Sequence, residues 1–220
     1  MTSAIMAEAR RQLADVGPAA LSLRAVARGV GMVSSGVYRY FASRDELLTA
    51  LIVESYDALG DVAEQAAKRR ARTPLDRWVT ACRAVRRWAV EHPHQYALVY
   101  GTPVPGYRAP EGTIVPAQRV ARALAGIAVD AARDGQLAPP AAIGITMGPR
   151  LRKDLSGIIE DLSVPLSEED MVRLLVAWTQ VFGLITFELF GQTRNAVHAH
   201  AGLFDATVTT TGCLVGLVGR

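Results

Sequence analysis

Apolar residues recur at helical spacing along almost the whole chain, and the strict alternation of a half-buried strand hardly occurs. Ile5, Ala9, Leu13 and Val16 predict a first amphipathic helix, closed by Gly17-Pro18. Ser22 is expected to cap a short helix over Leu23 to Val30 that Gly31 ends, and Ser34 to cap another over Ser35 to Tyr40. Ser43-Arg44-Asp45-Glu46 has the form of a capping box, from which a long helix runs to about Arg70 with Gly60 as its weak point. Thr73-Pro74 starts the next helix, which ends near His92-Pro93, and a shorter one carries Tyr96 to Tyr100. The segment from Gly101 to Gly112 holds Pro103, Pro105, Gly106 and Pro110 and reads as a loop. Further helices are expected over Thr113 to Arg133, Ala141 to Asp161, Ser167 to Phe190 and about Ala196 to Leu217. The pattern predicts an all-α fold of about nine or ten helices: a three-helix head followed by a larger helical bundle.

Charge changes this picture by its position. Residues 1 to 44 hold six arginines (Arg10, Arg11, Arg24, Arg28, Arg39 and Arg44) against Glu8 and Asp15, an excess of four, whereas the rest of the chain is one charge short of neutral. A basic head on a near-neutral body suits an electrostatic grip on a polyanion; an arginine-rich solvated surface is the plainer alternative.

The run LRAVARGVGMVSSGVYRYFA (Leu23 to Ala42) sharpens that choice. Ala27 is small where two helices would cross, Gly31 supplies the positive φ of a tight turn, and Val26, Val30, Met32, Val37 and Tyr40 fall on the packing faces. Ser34, Ser35, Gly36, Tyr38 and Arg39 are left outward, as in a helix-turn-helix whose second helix enters a major groove; an ordinary αα-hairpin is the competing reading. Arg39 could span O6 and N7 of a guanine, and Gly36 would let the backbone approach the groove wall. Ser22, Tyr40 and Arg44 are placed for phosphate oxygens, with Arg24 beside them on the same basic head; Tyr38 and Tyr40 could equally pack within it.

The segment SLRAVARGVGMVSSGVYRYFASRDELL (Ser22 to Leu48) resembles the DNA-binding signature of TetR-type bacterial regulators. It matches at Ser22, Ala27, Gly31, Ser34, Gly36, Tyr38, Tyr40, Phe41, Ser43 and Leu47, and departs at Val26, Gly29-Val30, Met32-Val33 and Arg44. Two later segments, His92 to Thr113 and Ala177 to Gly191, resemble the ligand-binding half of the subgroup named for a W…H-G motif. Trp178 and Gly183 match there, but Phe182 stands where the histidine is expected, which points to a drier pocket. The resemblance implies a DNA-binding domain over residues 1–46 and a ligand-binding and dimerisation domain over 47–220. It also implies a palindromic double-stranded operator and a repressor released by a small hydrophobic or aromatic effector.

Trp88, Tyr96, Tyr100, Met147, Trp178 and Phe182 are large apolar groups on helices expected to converge, with the loop around Tyr107 as a lid; plain core packing is the alternative for each. Near the C-terminus, Ala199, Gly202, Ala206, Thr209, Cys213 and Gly216 form a stripe of small residues. Phe204, Val208, Thr211, Val215 and Val218 form a second. Paired with the preceding helix, both stripes would be buried in a homodimer's four-helix bundle, unless they are spent within one chain.

The remaining chemistry is sparse. Cys82 and Cys213 form neither a CxxC pair nor a bridge framework, which points to a reducing cytoplasm. No apolar run is long enough to span a bilayer uninterrupted, so no membrane is expected. His92 with His94 and His198 with His200 lack metal-ligand spacing, and neither a phosphate-cradling glycine loop nor a serine elbow occurs. No cofactor, no metal and no enzymatic activity are expected. The rival to a regulator is a small-molecule-binding helical protein without specific DNA reading.

Overall fold

Local capping chemistry sets four helix starts. Ser22 Oγ accepts the Ala25 amide at 3.4 Å, Thr73 Oγ1 the Asp76 amide at 3.0 Å and Ser167 Oγ the Asp170 amide at 3.1 Å. At the capping box Ser43 Oγ accepts the Glu46 amide at 3.1 Å. Glu46 reaches back one residue further than expected, to the Ala42 amide at 2.6 Å.

The computed structural model describes residues 1–138 and 146–219. Among them are ten α-helices and no β-strand: α1 Thr2–Val16, α2 Leu23–Gly29, α3 Ser34–Val37, α4 Arg44–Ala67, α5 Pro74–Glu91, α6 Pro93–Tyr100, α7 Ile114–Arg133, α8 Pro149–Leu162, α9 Glu168–Leu189 and α10 His200–Val215. The all-α expectation stands, with shifted edges. α3 stops at Val37, and Val33 occupies its cap without a side-chain bond, so Ser34 is the first helical residue and not the cap. α6 starts earlier, at Pro93, because proline at a first helical position gives up no needed amide. The helix expected from Ala141 begins at Pro149; residues 141–145 lie outside the described ones. Met147 precedes that helix, in irregular chain.

The chain divides into two compact units, Met1–Leu59 with Glu91–Ala117, and Gly60–Val90 with Gln118–Arg220. The core of the first is built by Ile5, Ala9 and Leu13 of α1, Val26 and Ala27 of α2, Val37 of α3, Leu47, Leu48 and Leu51 of α4, and Leu98 of α6. Val104 and Tyr107, from the loop expected to be a lid, pack on the same core.

In the second unit α9 packs on α8 and α10. Trp78 of α5 is fully buried and donates its indole N–H to the Val208 carbonyl of α10 at 3.0 Å. Arg86 of α5 forks onto Glu188 of α9 at 2.6 and 2.7 Å. Gly60 sits beneath Arg119 of α7: a Cβ at Gly60 would lie 2.8 Å from the Arg119 Cβ. That guanidinium is held by Glu64 at 2.8 Å and by Asp61, and its hydrogen bond keeps the Glu64 carboxyl below its ordinary range. Among the described helices only α9 is long and apolar enough to cross a membrane, yet Met171, Leu174, Ala177, Val181, Phe182 and Ile185 on one of its sides are buried in the protein.

Candidate nucleic-acid interface

The turn between α2 and α3 is fixed by two backbone bonds. Met32 N–H donates to the Ala27 carbonyl at 2.8 Å and Gly31 N–H to the Arg28 carbonyl at 3.1 Å, with Gly31 at φ +69°. This six-to-one, five-to-two pair satisfies the orphan carbonyls of α2 and redirects the chain sharply. Val33 is extended, and α3 then buries Val37 completely against α2. Val26 and Ala27 are equally buried, so the small residue does stand in the packed crossing.

What remains outside is, apart from Val33, polar and cationic. Ser34, Ser35 and Arg39 are exposed, as are Tyr38 and Tyr40, at 47% and 41%. Tyr40 is thus half committed to packing, in keeping with its two competing readings. Gly36 stands beside Met32. A Cβ there would lie 2.9 Å from the Met32 Cε, so the space beside it is filled from within the head by a methionine methyl.

The arginines of the head fall into two groups. Arg10 pairs with Glu54 at 2.6 Å, and Arg11 bridges Glu8 and Asp15, lowering the Glu8 carboxyl below its ordinary range chiefly through the Arg11 hydrogen bond. Arg44 is turned back on the chain, donating to the Pro18 carbonyl at 2.7 Å, to Ala19 and Leu21 at 3.2 Å each, and to Asp45 at 3.2 Å. Four of its N–H directions are engaged, so in the free chain the guanidinium holds the turn entering α2. Among the described residues Arg24, Arg28 and Arg39 make no ion pair or side-chain hydrogen bond, and all three are exposed on or just beyond α2 and α3. Arg28 was not singled out in the sequence, though its charge was counted. Val33, noted in the sequence only as a departure from the family signature, is 73% exposed.

The candidate effector residues separate between the two units. In the first, buried Tyr96 lies 5.2 Å from Tyr100, ring centre to ring centre, and Tyr56 meets Tyr100 edge-on at 6.1 Å. Tyr56 is an addition the sequence did not suggest. Burial pushes the Tyr56 and Tyr100 hydroxyls above their ordinary range, so both stay neutral. Tyr107 shares a hydrogen bond of 2.8 Å with Thr49 of α4. In the second unit Trp178 and Phe182 stack at 5.0 Å, while Trp88 and Met147 are buried. Phe182 is itself buried, as a residue replacing a polar one in a dry setting would be. Burial also pushes the Cys82 thiol up, leaving it an inert core group.

The two C-terminal stripes part company. Phe204, Val208, Thr211 and Val215 are buried within the chain, which corrects the expectation that both stripes await a partner. In the first stripe Ala199, Gly202, Ala206, Thr209 and Cys213 are exposed and Gly216 is buried, while Val218 of the second is exposed; α9 and its cap add exposed Val176, Phe187 and Phe190.

Residues 5–51 match the family model described as bacterial regulatory proteins, tetR family, and residues 78–211 match the tetracyclin repressor-like C-terminal domain. The chain is similar to the HTH-type transcriptional regulators Rv1816 of Mycobacterium tuberculosis and Mb1846 of Mycobacterium bovis. Each is 40% identical over 203 residues, covering 90% of this chain and 84% of the relative. A solved structure described as a regulatory protein, SCO4313, superposes with a TM-score of 0.74 at 31% identity, over 96% of this chain and 94% of its own.

Proposed function

Because this chain belongs to the tetR family of bacterial regulatory proteins and is a DNA-binding transcriptional regulator, we propose that it is a repressor that a small apolar or aromatic effector releases from its operator. The observation that carries the reading is the outer face of α2 and α3, where Arg24, Arg28 and Arg39 keep their charges unpaired beside exposed serine and tyrosine hydroxyls. Three guanidiniums left without internal partners suit the phosphates and base edges of a duplex.

In this reading α3 lies in the major groove, with Arg39 on guanine O6 and N7 and Ser34, Ser35 and Tyr38 on neighbouring edges. Ser22, whose hydroxyl can still donate, binds phosphate with Tyr40, Arg24 and Arg28. Residues 1–46 act as the DNA-reading head and 47–220 as the ligand-binding and dimerisation part. A homodimer forms through the outward faces of α9 and α10, and the small residues Gly202 and Ala206 allow close helix approach. The operator is then a palindrome with half-sites about one helical turn apart. Effector uptake is assigned to the aromatic groups around Tyr100 in the first unit and around Trp178 in the second. It shifts α4 and with it the spacing of paired heads, and does so only through the effector's differential affinity for the two spacings. A regulator of this kind works in the cytoplasm beside the chromosome.

Binding of a fluorescent duplex from the region upstream of its own gene tests the reading. Log affinity is expected to fall linearly with log salt, by about 0.9 per phosphate contacted. Random duplex should bind more weakly, and small aromatic compounds should release the specific complex. Equal affinity for both duplexes at every salt concentration would favour the rival, a helical binding protein that does not read sequence.

A further inference from the structure

The face proposed to enter the groove carries one apolar side chain that the fold leaves unused. Val33 stands immediately before α3 and is 73% exposed, more than any other large hydrophobic residue of the protein among the described residues. Its neighbours in sequence take opposite sides: the Met32 methyl folds inward beside Gly36, while Ser34 and Ser35 lie outward. The Val33 Cγ2 lies 3.8 Å from where a Gly36 Cβ would be, so the valine stands on the rim of α3's first turn. The backbone there is extended at φ −69° and ψ 146°, an ordinary conformation for a β-branched residue. No packing demand of the head accounts for valine at this place.

Major-groove edges offer one apolar feature, the C5-methyl group of thymine. We infer that Val33 reads a thymine methyl, making it a specificity-determining residue of the operator contact. This rests on the proposal that α3 is the groove helix. The valine supplies what Ser34, Ser35 and Arg39 cannot: discrimination against cytosine and against a thymine stripped of its methyl, without a hydrogen bond. Burial of one methyl against another is expected to be worth about fourfold in affinity.

The test uses the full-length protein and an operator selected from random duplexes. Each thymine is replaced singly by deoxyuridine, which removes only the methyl, and affinity is measured for the wild type and for Val33→Ala. One thymine per half-site is expected to show about a fourfold loss in the wild type. That loss should vanish in Val33→Ala, whose unfolding temperature stays that of the wild type because the side chain is exposed. If the wild type selects a specific operator but every deoxyuridine effect persists in Val33→Ala, or none exists, the assignment of Val33 is overturned while DNA reading stands. If selection yields no operator, the groove-helix proposal itself falls and takes this inference with it.

Discussion

α3 and α10 solve the same problem with opposite outer chemistry. Each turns one face inward, α3 with Val37 and α10 with Phe204, Val208, Thr211 and Val215, and each leaves the other face without an internal partner. On α3 and the turn after it that face is hydroxyls and a guanidinium. On α10 it is Gly202, Ala206, Thr209 and Cys213, small and uncharged. A face of donors and positive charge suits a polyanion whose own oxygens complete the hydrogen bonds. A face of small side chains, with little beyond the Thr209 hydroxyl to hydrogen-bond, gains most where another backbone comes close. On the proposed reading one helix is fitted to nucleic acid and the other to a copy of itself.

The sharpest way to break the contrast is to put the chemistry of α3 onto α10. In Ala206→Arg, two guanidiniums would meet in the proposed dimer interface with a penalty on the order of 3 kcal/mol or more. The expected outcome is a monomer in sedimentation with unchanged helical circular dichroism, and operator affinity lower by more than about a hundredfold. A variant that still sediments as a dimer would move the interface elsewhere. The converse change, Arg39→Ala, strips the turn after α3 of its main donor. Discrimination between operator and random duplex should fall by about 1–3 kcal/mol while non-specific binding persists. Discrimination that survives intact would place base reading on other side chains. The smallest effect is expected from Arg44→Ala, which removes the clamp on Pro18, Ala19 and Leu21 and should cost about 1–2 kcal/mol of stability. Thermal unfolding should register that loss with the salt slope of binding unchanged; a shallower slope would return Arg44 to the phosphate contacts.

What the sequence made legible was local. Ser22, Thr73 and Ser167 cap the helices they precede, and Gly31 turns the chain where a positive φ was needed, because these bonds span only a few residues. The partners of Arg44 were not legible, because the carbonyls it binds lie 23 to 26 residues earlier, beyond any spacing rule. The end of α3 at Val37 and the filling of the space beside Gly36 by Met32 are likewise settled by packing. Periodicity found two stripes on the last helix but could not say which faced inward. Trp78 decides that, by docking its indole on the Val208 carbonyl from a helix 130 residues away in sequence. Tyr56 stayed unnoticed for the same reason: nothing in its own helix pairs it with Tyr100.

Gly60 shows how a defect in one respect is a fitting in another. Swapping an interior helical glycine for alanine is a routine route to a more heat-resistant protein, through a stiffer unfolded chain and better helix propensity. At this site the route is closed, because the side chain lying over the gap is pinned at its far end by Glu64 and Asp61 and has nowhere to retreat. Efforts to harden this regulator do better to leave its longest rod notched and to work on exposed loops.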